Sequence, residues 1–196
     1  MPINIQNPAS VMIASLEEQC GFNAYAKTRD LNACNIATDK KYQKNYTTYY
    51  RVRRDQRWLQ NYYNLLEENK NSTTITFEEI LRALADIPHK SKNGTTKSVE
   101  ASFASKMLAT IRPEFPIWDS RVIKAMGIKI NSTIQDTEEK IKAYVKAYDK
   151  LTKEIDDFLK TPDGEACIAV FDKTFPRLTH LSPFKKIDHY LWNMGR

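Results

Sequence analysis

Apolar residues recur at helical spacing through most of the chain, and the clearest case lies between residues 98 and 127. Phe103, Met107, Leu108 and Ile111 share one helix face, while Ala101, Ser102, Ala104, Ser105 and Ala109 fill much of the rest. A bulky stripe with small residues around it admits neighbours on several sides. This helix is therefore expected at the centre of the fold. Ser98 is placed to cap it. Pro113 and Pro116 enforce a tight connection, Asp119 is set to cap a second helix over 120–126, and Gly127 closes that helix.

The other segments repeat the helical signal. No glycine or proline interrupts residues 40–68, which predicts one long helix or two collinear ones with a bend near 53–57. Tyr42, Tyr46, Tyr49 and Tyr50 share one face of it, and Trp58, Tyr62, Leu65 and Leu66 form a second stripe rotated by roughly a third of a turn. Thr76 and Glu79 make a capping box ahead of Phe77, Ile80, Leu81 and Leu84. Residues 88–98 read as a polar loop with a turn at Asn93-Gly94. Asp136 and Glu139 open a long helix to about residue 160, and Thr161-Pro162 and Ser182-Pro183 open two more. Near the start, residues 9–20 suggest a short amphipathic helix ending at Gly21, and 22–38 either a second helix or an irregular link.

These elements predict an all-α protein, a compact helical bundle in a single domain over 1–196, with 1–70 as a small lobe packed on a core of 71–196 in the other arrangement. Glycine usage agrees. There are only five, and Gly21, Gly127, Gly164 and Gly195 fall where helices would end.

Composition adds a modest lean toward a polyanionic partner, with a net charge of +6 and a pI near 9.1. Cys20, Cys34 and Cys167 are too scattered for a disulfide framework or a metal knuckle. His89, His180 and His189 stand at no metal-ligand spacing, so no metal and no cofactor are expected. Neither a signal peptide nor a membrane span is visible, so the expectation is a cytoplasmic protein with no membrane partner. Glycine-rich phosphate loops and nucleophile elbows are missing, which leaves carboxylate or lysine chemistry, or none. Asp188 and His189, near Trp192, read as structural.

Two stretches carry candidate binding chemistry. Between 40 and 57 seven basic residues, including Arg51, Arg53, Arg54 and Arg57, face Asp55 alone, and tyrosines are interleaved with them. That mixture suits nucleic acid through stacking and phosphate neutralisation, and it equally describes a helix with a buried tyrosine face and a solvated basic one. The 88–98 loop adds Lys90, Lys92 and Lys97 without an acid, beside the expected start of the central helix. Asp119, directly after Ile117 and Trp118, sets a carboxylate beside an aromatic at a helix start. Capping alone accounts for it, and so does a reactive role.

Residues 101–123, ASFASKMLATIRPEFPIWDSRVI, resemble the corresponding piece of the helix-hairpin-helix DNA glycosylase superfamily. The resemblance implies a glycosylase-like helical fold and a DNA partner. It makes Asp119 the catalytic carboxylate that stabilises positive charge on the deoxyribose or activates the nucleophile as a flipped base leaves. Trp118 would be the pocket aromatic. Lys90, Lys92, Lys97 and Arg121 would hold DNA, with Arg51, Arg53, Arg54 and Arg57 as a second patch. Two departures stand out. The family's glycine-rich hairpin turn is here the longer 88–98 loop with one glycine, and its lysine nucleophile would fall near Ser102, one turn before Lys106. The resemblance thus implies a monofunctional DNA N-glycosylase or a diverged relative without catalysis. A helical protein- or RNA-binding module with no enzymatic activity is the other class.

Overall fold

The computed structural model describes residues 3–13, 19–92 and 94–196. Helices dominate it: α1 (Pro8–Ile13), α2 (Gln19–Ala26), α3 (Lys40–Tyr50), α4 (Gln56–Asn69) and α5 (Phe77–Ala85) precede a short hairpin, β1 (His89–Ser91) and β2 (Gly94–Thr96). Then follow α6 (Ala101–Ile111), α7 (Ser120–Ala125), α8 (Thr137–Leu159), α9 (Pro162–Thr174) and α10 (Pro183–Met194). The protein is all-α apart from the hairpin. No helix among the described residues is long and apolar enough to cross a membrane.

Helix α6 is the centre. Ala101 and every residue from Ala104 to Thr110 are buried, as its small-residue faces require. α5 lies along one side of it and α4 along another. Explicit starts set most of the frame around it. Thr76 and Glu79 close the capping box of α5, Asp136 accepts from the Glu139 amide at 2.8 Å, and Thr161 and Ser182 cap helices that begin with proline. The expected cap at Ser98 is not used. α6 starts after Glu100 without a side-chain cap, and the Ser98 hydroxyl donates to the Glu100 carboxylate instead.

The long 40–68 helix is two helices that double back. In a continuous helix, Tyr46 and Tyr62 would stand ~24 Å apart, sixteen residues at ~1.5 Å each. Their hydroxyls are 2.8 Å apart. Thr47 also meets Tyr63 at 2.7 Å, and the Gln60 amide donates to the Ala37 carbonyl at 2.8 Å. The reversal occurs at Arg51, whose φ of 53° is left-handed and whose N–H closes α3 on the Thr47 carbonyl. A non-glycine residue there costs ~1–2 kcal/mol. Full burial of Val52 and Trp58 just beyond offsets it, at ~1.5–3 kcal/mol for each such side chain. Asp55 then caps α4 on the Trp58 amide.

Three further corrections follow from packing. α2 runs through Gly21, so that glycine ends no helix. Gly164 is in the first turn of α9, where a Cβ would collide with the Phe158 carbonyl at the end of α8. The 88–98 loop contains the antiparallel hairpin, with Lys90 opposite Thr95. Asn93 lies outside the described residues, and Gly94 has φ +109°.

Candidate functional site at Asp119

Asp119 is held by the segment that leads into it. The Trp118 amide donates to Ser105 of α6 at 2.8 Å, Tyr148 of α8 donates to the Pro116 carbonyl at 2.7 Å, and Ser182 donates to the Pro113 carbonyl at 2.5 Å. Three elements thus fix one short link. Asp119 caps α7, one carboxylate oxygen accepting from the Arg121 amide at 3.0 Å. The end of α10 lies directly on this helix start. A Cβ at Gly195 would collide with the Arg121 carbonyl, so only glycine fits there.

A cavity of about 460 Å³ opens beside Asp119. Its buried floor is formed by Tyr50, Lys106, Ile117, Lys185, Asp188 and His189. Arg51 and Ser120 stand exposed at its rim, with Asp119, Arg121 and Trp192 half-buried. α10 supplies Lys185, Asp188, His189 and Trp192, at i, i+3, i+4 and i+7. That is the spacing of one helix face, normally the apolar one. Four cations, Arg51, Lys106, Arg121 and Lys185, outnumber the two carboxylates, Asp119 and Asp188.

The floor is electrostatically unusual. Lys185 pairs with Asp188 at 2.9 Å and lies near the rings of Tyr25 and Tyr49 at 5.5 and 5.3 Å. Burial works against the Lys185 charge, yet Asp188 holds its proton on firmly; burial also raises the Asp188 carboxyl against the pull of Lys185. Burial lowers the pKa of Lys106, with Asp119 and Asp188 opposing, and its ammonium donates to Ser102 at 2.9 Å. Burial, helped by Lys185 and Arg196, pushes His189 down to about 3, so its imidazole is neutral at ordinary pH. Phe22, Phe171 and Phe175 surround that ring at 4.9 to 6.1 Å. At the rim the Arg121 guanidinium stands 4.0 Å from the centre of the Trp192 ring.

Of the residues singled out from the sequence, Asp119, Arg51 and Arg121 meet at this cavity. Trp118 does not line it. Trp118 is 8% exposed and packs edge-on against Tyr144, because its amide is tied to α6 and its ring turns into the core. Trp192 is the tryptophan at the rim. Arg54 is taken up by an ion pair with Glu100 and contacts with Phe103 and Trp58, and Lys97 pairs with Asp86 at 3.2 Å. Arg53, Arg57, Lys90 and Lys92 are exposed and away from the cavity.

The tyrosines are core. Tyr42, Tyr46, Tyr50, Trp58, Tyr62 and Tyr63 are all buried, and Tyr46 and Tyr50 share the Thr110 hydroxyl. Tyr42, Tyr46, Trp58, Tyr62 and Tyr63 are thereby withdrawn from any surface partner, and of the stripe only Tyr49 and Tyr50 reach the cavity wall. The polar face of α10 is where sequence reasoning fell short: it read Asp188 and His189 only as structural and did not bring Lys185 to them. Its signal was present in the spacing of Lys185, Asp188, His189 and Trp192, a polar stripe inside an otherwise apolar helix.

Among the described residues no cluster of His, Cys, Asp and Glu could hold a metal ion. Comparison with protein-family models, curated proteins and solved structures finds no match for this chain.

Proposed function

We propose that the cavity receives a nucleotide turned out of DNA and that the protein excises its base by hydrolysing the N-glycosidic bond. The observation that carries this reading is the Asp119 carboxylate, rigidly held at the edge of a cavity whose rim bears Arg51 and Arg121. The volume, about 460 Å³, falls within the ~300–1,000 Å³ usual for small-ligand sites. Arg51 and Arg121 pair with the phosphates flanking the extruded nucleotide. As the bond from C1′ to the base nitrogen breaks, the base leaves with the electron pair and positive charge develops on the sugar. Asp119 stabilises that charge and takes a proton from the water that adds to C1′. The base takes a proton from solvent as it departs, and Asp119 afterwards returns the proton it accepted to solvent, so one water is consumed per bond broken.

One observation favours a second reading. An Asp119 oxygen already caps α7, so a relative that binds DNA without cleaving it would need the same residue in the same place. Two measurements separate them. Binding is followed on an intact duplex and on one with an abasic-site analogue across a salt series, and base release is followed on duplexes bearing damaged bases. Excision predicts preference for the analogue and base release that falls at least ~10²-fold in Asp119→Asn. Analogue preference with no base release from any duplex leaves the binding reading. Equal weak binding to both duplexes overturns the proposal.

A further inference from the structure

The basic residues outside the cavity are sorted by the fold, and the sorting is uneven. Arg54 and Lys97 have carboxylate partners, as described above. Among the described residues Arg51, Arg53, Arg57, Lys90 and Lys92 form no ion pair, and none of their five side chains is buried. These five lie on two segments that are far apart in sequence. Asp55 joins them. One of its oxygens caps α4 on the Trp58 amide at 3.1 Å, and the other accepts from the Lys90 amide at 2.8 Å. The hairpin is therefore fastened to the start of α4 by its backbone, and the Lys90 side chain is left over.

The hairpin has no reason in the core. β2 is exposed throughout, and only His89 of β1 is even half-buried. No acidic residue occurs from 87 to 99 to neutralise it. Exposed like charges repel one another weakly through water, and a polyanion laid along the ribbon would turn that repulsion into attraction. The strip also begins at the candidate site. Arg51 is at the cavity rim, the extended chain from 51 to 55 spans at most ~14 Å at ~3.3–3.6 Å per residue, and Arg57, or Lys92 beyond the Asp55–Lys90 bond, lies up to ~10 Å farther. One DNA strand carries a phosphate every ~3.4 Å along the axis, so that reach covers about seven nucleotides.

We infer that the β1–β2 hairpin and the 51–57 segment form one DNA-backbone clamp, in which Arg53, Arg57, Lys90 and Lys92 hold phosphates within about seven nucleotides of the one in the cavity. Asp55 is its positioning residue. This inference rests on the cavity being a DNA site, but not on Asp119 being catalytic. The clamp contributes affinity and register without reading bases, since phosphate contacts carry no sequence information.

The test is duplex binding by the whole chain between 50 and 200 mM salt (about the range over which phosphate contacts dominate), with Lys90→Gln/Lys92→Gln and Arg53→Gln/Arg57→Gln against wild type. Each lost phosphate contact lowers the slope of log affinity against log salt by ~0.9, so each double variant should lose nearly two. The control Lys142→Gln/Lys150→Gln on α8 should leave it unchanged. All four substituted clamp positions are exposed, so unfolding is not expected, and circular dichroism checks it. Backbone-modification interference on the abasic-analogue duplex should place the lost contacts within the stated distance. An unchanged slope, contacts farther away, or a wild type that binds no DNA at 50 mM salt overturns the clamp. Loss of slope with no base release from any duplex would keep the clamp and remove the excision reading. Base release with an unchanged slope would do the reverse.

Discussion

Helices α8 and α10 each carry lysine–aspartate pairs one turn apart, and the two helices put them to opposite use. On α8, Lys153 meets Asp157 at 2.5 Å, with the side chains 74% and 57% exposed. On α10, Lys185 meets Asp188 at the longer distance of 2.9 Å, with both less than a tenth exposed. The shorter pair matters less. Water solvates both charges on α8 whether or not they touch, and ordering two flexible side chains consumes most of the gain. On α10 both charges are more than nine-tenths withdrawn from water, so each depends largely on the other. Pair distance is a poor guide to energetic weight; burial decides it. The difference also marks the site, because a fold that needed only stability could fill the floor of its cavity with apolar side chains.

Breaking the buried pair should give the largest stability effect. Lys185→Met leaves Asp188 buried beside a methionine, and Asp188→Asn leaves an ammonium between two tyrosine rings without its anion. Each should lower stability by ~3–5 kcal/mol. That corresponds to a melting temperature lower by roughly 6–20 °C at ~2–4 °C per kcal/mol for a chain of this size. The double change Lys185→Met/Asp188→Leu should recover much of the loss, since it removes both charges together. Thermal melts of the three variants decide the matter. A double variant as unstable as either single one would show that the pair is replaceable by nothing apolar, and the contrast with α8 would then rest on shape, not on desolvation.

His189, next along the same face, sharpens the contrast through pH. Its folded pKa near 3 lies below the ordinary value of 6.5, because burial first, and then Lys185 and Arg196, oppose its protonation. Between those two values the unfolded chain binds a proton that the folded chain refuses. The contribution is therefore fully present above pH 6.5 and is lost as pH falls toward 3, at up to ~1.4 kcal/mol per pH unit. Denaturant unfolding at pH 7 and pH 5 measures it. In His189→Phe, which keeps an aromatic among Phe22, Phe171 and Phe175, the difference between those two pH values should shrink by ~2 kcal/mol, from the part of the interval below 6.5. An unchanged difference would mean that the ring reaches water.

How much of this could be seen beforehand varied with how local its cause is. The starts at Thr76, Asp136, Thr161 and Ser182 were legible because a cap is decided by its own few residues. The reversal at Arg51 was not. No glycine or proline announces it, and the strain at that residue is offset by burial of Val52 and Trp58, which only the folded chain provides. The hairpin eluded a reading based on hydrophobic alternation, because strands exposed on both faces have no such alternation to display. Asp119 was visible as a cap and as a candidate carboxylate, yet its cavity was not, since α10 supplies most of the buried charge from some seventy residues away. Trp118 and Trp192 show the same limit. Adjacency in sequence favoured Trp118, and packing on Tyr144 withdrew it.

The smallest expected effect closes the comparison from the other side. Lys153→Ala/Asp157→Ala removes a 2.5 Å pair on α8 together with both of its charges. The pair holds the Asp157 carboxyl below the usual range, but that shift is screened by the surrounding water and reports a local field more than a contribution to folding. Alanine is also the best helix former, which works in favour of the variant at two solvent-facing positions. Melting temperature should therefore stay within measurement error of wild type, at low salt and at high salt alike. The salt slope of DNA binding should stay fixed too, since Lys153 is matched by its own helix and has no charge to spare for a phosphate. A clear loss of stability here would show that the face of α8 is held together by its ion pairs, and burial would no longer separate the two helices.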